Sequence, residues 1–62
     1  MEKEIKKRVY AVLFYLEDVG IEEDDIYRLT GFNIDDIKTK EDFNEVIRML
    51  GLWYYGLDKF KF

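Results

Sequence analysis

Every glycine in the chain stands directly before a large apolar residue: Gly20-Ile21, Gly31-Phe32, Gly51-Leu52 and Gly56-Leu57. A glycine just past a helix tolerates the left-handed conformation there, and the following apolar residue folds back onto the last turn. The pattern predicts short helices with specified stops, closed by contacts of Leu16 with Ile21, Tyr27 with Phe32 and Ile47 with Leu52. Few other architectures are compatible with such punctuation in a chain of 62 residues.

A chain this short forms one domain, spanning residues 1–62, and buries only about 60% of the surface its unfolded form exposes. It contains no cysteine and no histidine, so neither disulfides nor the usual structural zinc sites supplement the core. Five phenylalanines, five tyrosines and one tryptophan supply large apolar area instead. Serine, glutamine and proline are also absent, while glutamate, aspartate, lysine, isoleucine and tyrosine abound, a drift resembling proteins of hot environments. The apolar run Val9 to Leu16 is eight residues long, too short to span a bilayer and without a small-residue cleavage site behind it. The expected compartment is the cytoplasm, with no membrane partner.

The apolar spacing outlines the elements. Ile5, Val9, Val12, Leu13 and Leu16 form one stripe of a helix over residues 2–19, with Lys3, Lys6, Lys7 and Arg8 as its solvated flank. Glu22, Glu23, Asp24 and Asp25 open a short second helix over residues 22–30, where the helix dipole favours negative charge. Asn33 and Asp36 predict a single capped turn through Ile34 and Ile37. Thr39 and Asp42 predict the start of a helix with the stripe Phe43, Val46, Ile47 and Leu50. For residues 51–62 two continuations compete. Apolar spacing through Trp53, Tyr54 and Leu57 extends the helix, whereas Gly51 and the alternation Lys59-Phe60-Lys61-Phe62 predict a β-hairpin of residues 52–55 and 59–62. The hairpin is the reading adopted. The expected fold is mostly α, three to four helices with a C-terminal hairpin.

Catalysis is not expected. Without Ser, Cys or His the common nucleophile and base pairs cannot be assembled, and so small a domain rarely encloses a substrate cleft. Asp24, Asp25, Asp35 and Asp36 could face a hard cation, but the alternating ligands, central glycine and closing glutamate of a calcium loop are missing. Helix-start charge and solubility account for them, so no metal and no cofactor are expected.

Two function classes remain. Tyr10, Phe14 and Tyr15, with Trp53, Tyr54 and Tyr55, provide more aromatic surface than one small core absorbs, and such residues dominate interface hot spots. Residues 17–36 sum to −7 within a total of −4, so Glu22, Glu23, Asp24 and Asp25 would border that patch and set orientation and on-rate. The expectation is a small regulator or inhibitor docking on a partner protein or on its own copy as a homodimer. The alternative is a dimeric DNA-binding regulator. The order helix, helix, turn, helix and two-stranded tail over residues 5–62, with the Leu-bearing strand after Val46 and a wing turn, resembles the winged-helix family. That resemblance implies a major-groove helix from Lys40 to Leu50 with Asn44 and Arg48 as contacts, Lys38 beside them, and Lys59 and Lys61 on a wing touching backbone. Residues 38–48 carry no net charge, which weighs against approach to phosphates. Ile47, Leu50, Trp53 and Tyr54 also resemble the anchors of peptides that bind the sliding clamp of DNA replication, with Ile47 in place of the leading glutamine.

Overall fold

The computed structural model describes residues 2–62, which form three α-helices, α1 (Glu2–Glu17), α2 (Glu23–Thr30) and α3 (Lys40–Leu50), with 3-10 turns at Ile34–Asp36 and Asp58–Phe60. Four residues of the expected α1 stripe, Ile5, Val9, Val12 and Leu16, are buried, while the fifth, Leu13, is only partly buried at the edge of the core. The helix ends two residues earlier than its apolar spacing suggests. Gly20, at φ +80°, lets its own N–H reach the Glu17 carbonyl at 3.0 Å while the Ile21 N–H reaches that of Leu16 at 3.2 Å. This is the paired closure of a Schellman motif, and it brings Ile21 against the core.

Helix α2 begins where its acidic run predicts. The Asp25 carboxylate accepts the Glu22 N–H at 2.9 Å, satisfying one of the donors that a helix start leaves unpaired. The other end stops at Gly31 as expected, at φ +79° with its N–H on the Tyr27 carbonyl at 2.8 Å. The Thr30 hydroxyl, in a buried residue, donates to the Ile26 carbonyl at 2.7 Å and accepts the Phe32 N–H at 3.1 Å. Phe32 thereby packs against the core, while Tyr27 stays about half exposed. In the turn that follows, Asn33 does not cap with its side-chain oxygen; its amide donates weakly to Asp36 at 3.4 Å. Thr39 does cap α3, accepting the Asp42 N–H at 3.0 Å. Phe43, Val46, Ile47 and Leu50 then meet the α1 stripe, Ile26, Ile37 and Leu57 in one core.

The C-terminal hairpin and the winged-helix order are corrected by the structure: among the described residues there is no strand. Gly51 does not end α3 in a left-handed stop. It sits at φ −64°, ψ −17°, in the helical region, and the chain coils on, with the Leu52 N–H bonded to the Met49 carbonyl at 3.2 Å and the Trp53 N–H to that of Leu50 at 3.0 Å. Leu52 points outward, 75% exposed, rather than folding onto Ile47. The reversal comes at Gly56, φ +84°, after which Leu57 enters the core.

A two-stranded ribbon alone is marginal in water. The helices offer residues 60–62 better partners than a second strand would. Arg8 donates to the Phe60 carbonyl at 2.7 Å and the Lys61 carbonyl at 3.0 Å, and lies 4.0 Å from the centroid of the Phe62 ring. Asn44 accepts the Phe62 N–H at 3.0 Å. The Phe62 ring meets Phe43 edge-on at 5.4 Å, and Phe60 meets Tyr15 at 5.5 Å. The alternation of Lys59 to Phe62 thus points its rings inward, onto helices. No helix among the described residues is long and apolar enough to cross a membrane.

Candidate docking surface

Adjacent residues on a helix are turned by about 100°, so the aromatic residues outside the α1 stripe fall on opposite sides of it. Tyr10 and Phe14 lie on the side facing the start of α2. They join Leu13 and Ile21 along a shallow open groove walled by Glu17, Glu22, Glu23 and Asp24. A second hollow continues past Tyr10, which it shares with Glu23 and Asp24, to Asn33, Ile34, Asp35 and Asp36. Neither lining contains a lysine or an arginine. Tyr10 is 50% exposed and Phe14 67%.

Tyr15 belongs to the other side. Its hydroxyl donates to the Tyr55 carbonyl at 3.2 Å, its ring contacts Phe60, and the Lys59 ammonium stands 4.4 Å from its centroid. Tyr54 packs against the core, while Trp53 and Tyr55 are exposed, Tyr55 to 96%. The aromatic residues singled out in the sequence are therefore divided between two faces rather than gathered on one. The acidic residues divide too. Glu22, Glu23 and Asp24 wall the groove, whereas the Asp25 carboxylate is drawn back to the Glu22 N–H and to the Arg28 guanidinium. Asp24, Asp25, Asp35 and Asp36 form no cluster able to hold a metal ion among the described residues.

Most of the residues expected to touch DNA have partners within the molecule. Asn44 holds Phe62. Arg48 donates to both carboxylate oxygens of Glu45, at 3.0 and 2.6 Å, and holds that carboxyl below its ordinary range by hydrogen bonding first and charge second. Without strands there is no wing, and Lys59 and Lys61 lie on or beside the last 3-10 turn, the latter 3.6 Å from Asp58. Lys40 faces the Phe62 ring at 5.3 Å, and Lys38 lines a separate hollow near Lys3 and Lys6. Residues 31–39 separate α2 from α3, more than the three- or four-residue turn of a helix-turn-helix. Ile47 and Leu50 are fully buried, so the clamp-peptide resemblance fails at the anchors it needs outside.

Sequence reasoning placed Arg8 among solvated charges and missed its part in holding the tail. The available signal was its type. Arg8 is the one arginine beside three lysines in α1, and a planar guanidinium suits stacking and paired carbonyls better than an ammonium does.

Compared with family models, curated proteins and solved structures, the chain matches none. Any function must be argued from its own surface.

Proposed function

We propose that the protein is a small, non-catalytic binding module that docks on a partner protein through the groove between α1 and the start of α2. The observation that carries this reading is the uncovered apolar floor of Tyr10, Leu13, Phe14 and Ile21 inside a wall of carboxylates. Tyrosine and phenylalanine at such a position are effective anchors because each buries a large rigid surface at small cost in side-chain freedom. Fully covering one such ring yields about 1.5–3 kcal/mol. Tyr10 and Phe14 are already partly buried, so they anchor the contact while the rest of the interface must supply most of the net free energy of a micromolar complex, about 8 kcal/mol. An interface of ordinary size, about 800 Å² per partner, would occupy roughly a fifth of the 4482 Å² surface.

A symmetric pair of copies joined through this groove would set carboxylates against carboxylates, which is unfavourable, so the partner is a different protein. Nothing in the structure favours a nucleic-acid reading of the same surface. The test is selection of a random-peptide phage library on the folded protein, with counter-selection on a Tyr10→Ser/Phe14→Ser variant shown to be folded by circular dichroism. Enrichment of peptides that bind the parent and lose at least tenfold affinity for that variant supports the reading. If bound peptides are indifferent to Tyr10 and Phe14, or need Trp53 and Tyr55 instead, the docking surface has been misplaced.

A further inference from the structure

We infer that the segment received by this groove presents an arginine, laid on the Tyr10 ring beside Glu23 and Asp24, next to an apolar residue over Leu13, Phe14 and Ile21. This rests on the docking reading above and adds the chemistry of the occupant. Three observations converge on it. Tyr10, Glu23 and Asp24 are common to both hollows, so one side chain lying along the boundary would meet the ring and both carboxylates together.

The molecule uses this pairing at rings close to its own cations, while the exposed rings of Tyr27, Trp53 and Tyr55 carry none. Arg8 covers Phe62 at 4.0 Å, and Lys59 stands over Tyr15 at 4.4 Å and Phe60 at 5.4 Å. Among the described residues no cation lies over Tyr10 or Phe14, and Glu17, Glu23, Asp24 and Asp35 have no ion-pair partner. Negative charge around an open aromatic face attracts a cation from outside, and the ring quadrupole adds to it. Arginine fits better than lysine because its flat guanidinium stacks on the ring while its edge donates to carboxylates. A second copy could supply that arginine only by giving up a contact already made within the chain. Arg8 is held by the tail, Arg28 by Asp25 and Arg48 by Glu45.

The closing experiment uses the peptides enriched in the selection described above, measured by fluorescence anisotropy against the full chain. The expected pool is cationic and carries arginine near an aromatic or aliphatic residue. Binding of its best member falls about tenfold between low and about 0.5 M salt, and by a similar factor for Glu23→Gln/Asp24→Asn. Replacing the peptide arginine by lysine weakens it several-fold; Tyr10→Phe keeps most of the affinity and Tyr10→Leu loses it. Groove-dependent peptides that are neutral or acidic, or indifferent to salt and to the Arg-to-Lys exchange, overturn the arginine assignment and leave the docking surface standing. A pool with no groove-dependent member overturns both. Self-association in sedimentation equilibrium that Tyr10→Ser abolishes overturns the choice of a foreign occupant.

Discussion

Replacing Gly56 by alanine tests whether the last reversal of the chain is built around Tyr15. Gly56 is at φ +84°, and a Cβ there would stand 2.3 Å from the Tyr15 hydroxyl oxygen. Gly20 supplies the internal control, with φ +80° and nothing within 4 Å of an added Cβ. Gly20→Ala therefore carries only the backbone cost of a left-handed alanine, about 1–2 kcal/mol. Gly56→Ala carries the same cost and also displaces the phenol. The ring, being partly exposed, can swing aside, but it then forfeits the bond to the Tyr55 carbonyl and the edge contact with Phe60. Those are worth about 0.5–1.5 kcal/mol each, so Gly56→Ala is expected to cost about 1–3 kcal/mol more than Gly20→Ala. For a domain of this size the difference appears as a melting temperature lower by at least about 4–8 °C. Urea unfolding followed by far-ultraviolet circular dichroism measures it. Repeating both substitutions in a Tyr15→Phe background, which removes the closest atom, should recover about 1 kcal/mol of the Gly56→Ala loss. Equal costs for the two glycines, or no coupling to Tyr15, would refute the reasoning.

Other outcomes follow from contacts already described. Arg8→Ala should destabilise the fold by about 1.5–3 kcal/mol, the range for a hydrogen-bonded charged group; Arg8→Lys should regain less than half, and amide exchange at Phe62 should quicken in both, unfolding curves and proton exchange being the measurements. Thr30→Val should cost about 1–2 kcal/mol because it leaves the Phe32 N–H without its acceptor, whereas Thr30→Ser should remain near the parent in the same urea titration. The Glu45 carboxyl is lowered by Arg48 from an ordinary value of 4.5, so its contribution to stability is complete above that pH and is lost as pH falls through the depressed folded value. Glu45→Gln should flatten that part of the acid limb in a pH-resolved thermal scan. About 1 M salt should erase the difference, because the pair faces solvent.

Much of the helical frame was readable from residue order. The stripes of α1 and α3, the acidic start of α2, the Thr39 cap and the Gly20 closure are local devices, each encoded within a few residues, and each appears where it was expected. What could not be read depends on partners far along the chain. Gly51 has the same neighbours in sequence as a stop but occupies a helical conformation, since Trp53 and Tyr54 continue to find acceptors in the preceding turn. The alternation at Lys59 to Phe62 truly marks two inward rings, yet alternation does not say whether they meet a strand or a helix pair. For the surface, composition disclosed an aromatic excess and an acidic segment. Their joint placement by Tyr10, Phe14 and Glu22 to Asp24, and the departure of Tyr15 to the opposite side, required the rotation of α1 against α2.

The tie between Arg8 and the tail joins positions 52 residues apart. In an unfolded chain, closing a loop of that length costs about 3–4 kcal/mol of entropy, more than one guanidinium returns. Once α1 and α3 are packed and Leu57 has entered the core, only a few residues remain to be placed and most of that cost has been met. The tie is then expected to form late in folding and to break early in unfolding. A probe at Phe62 would therefore register completion of the native state, at a moment when the helices alone would already look finished.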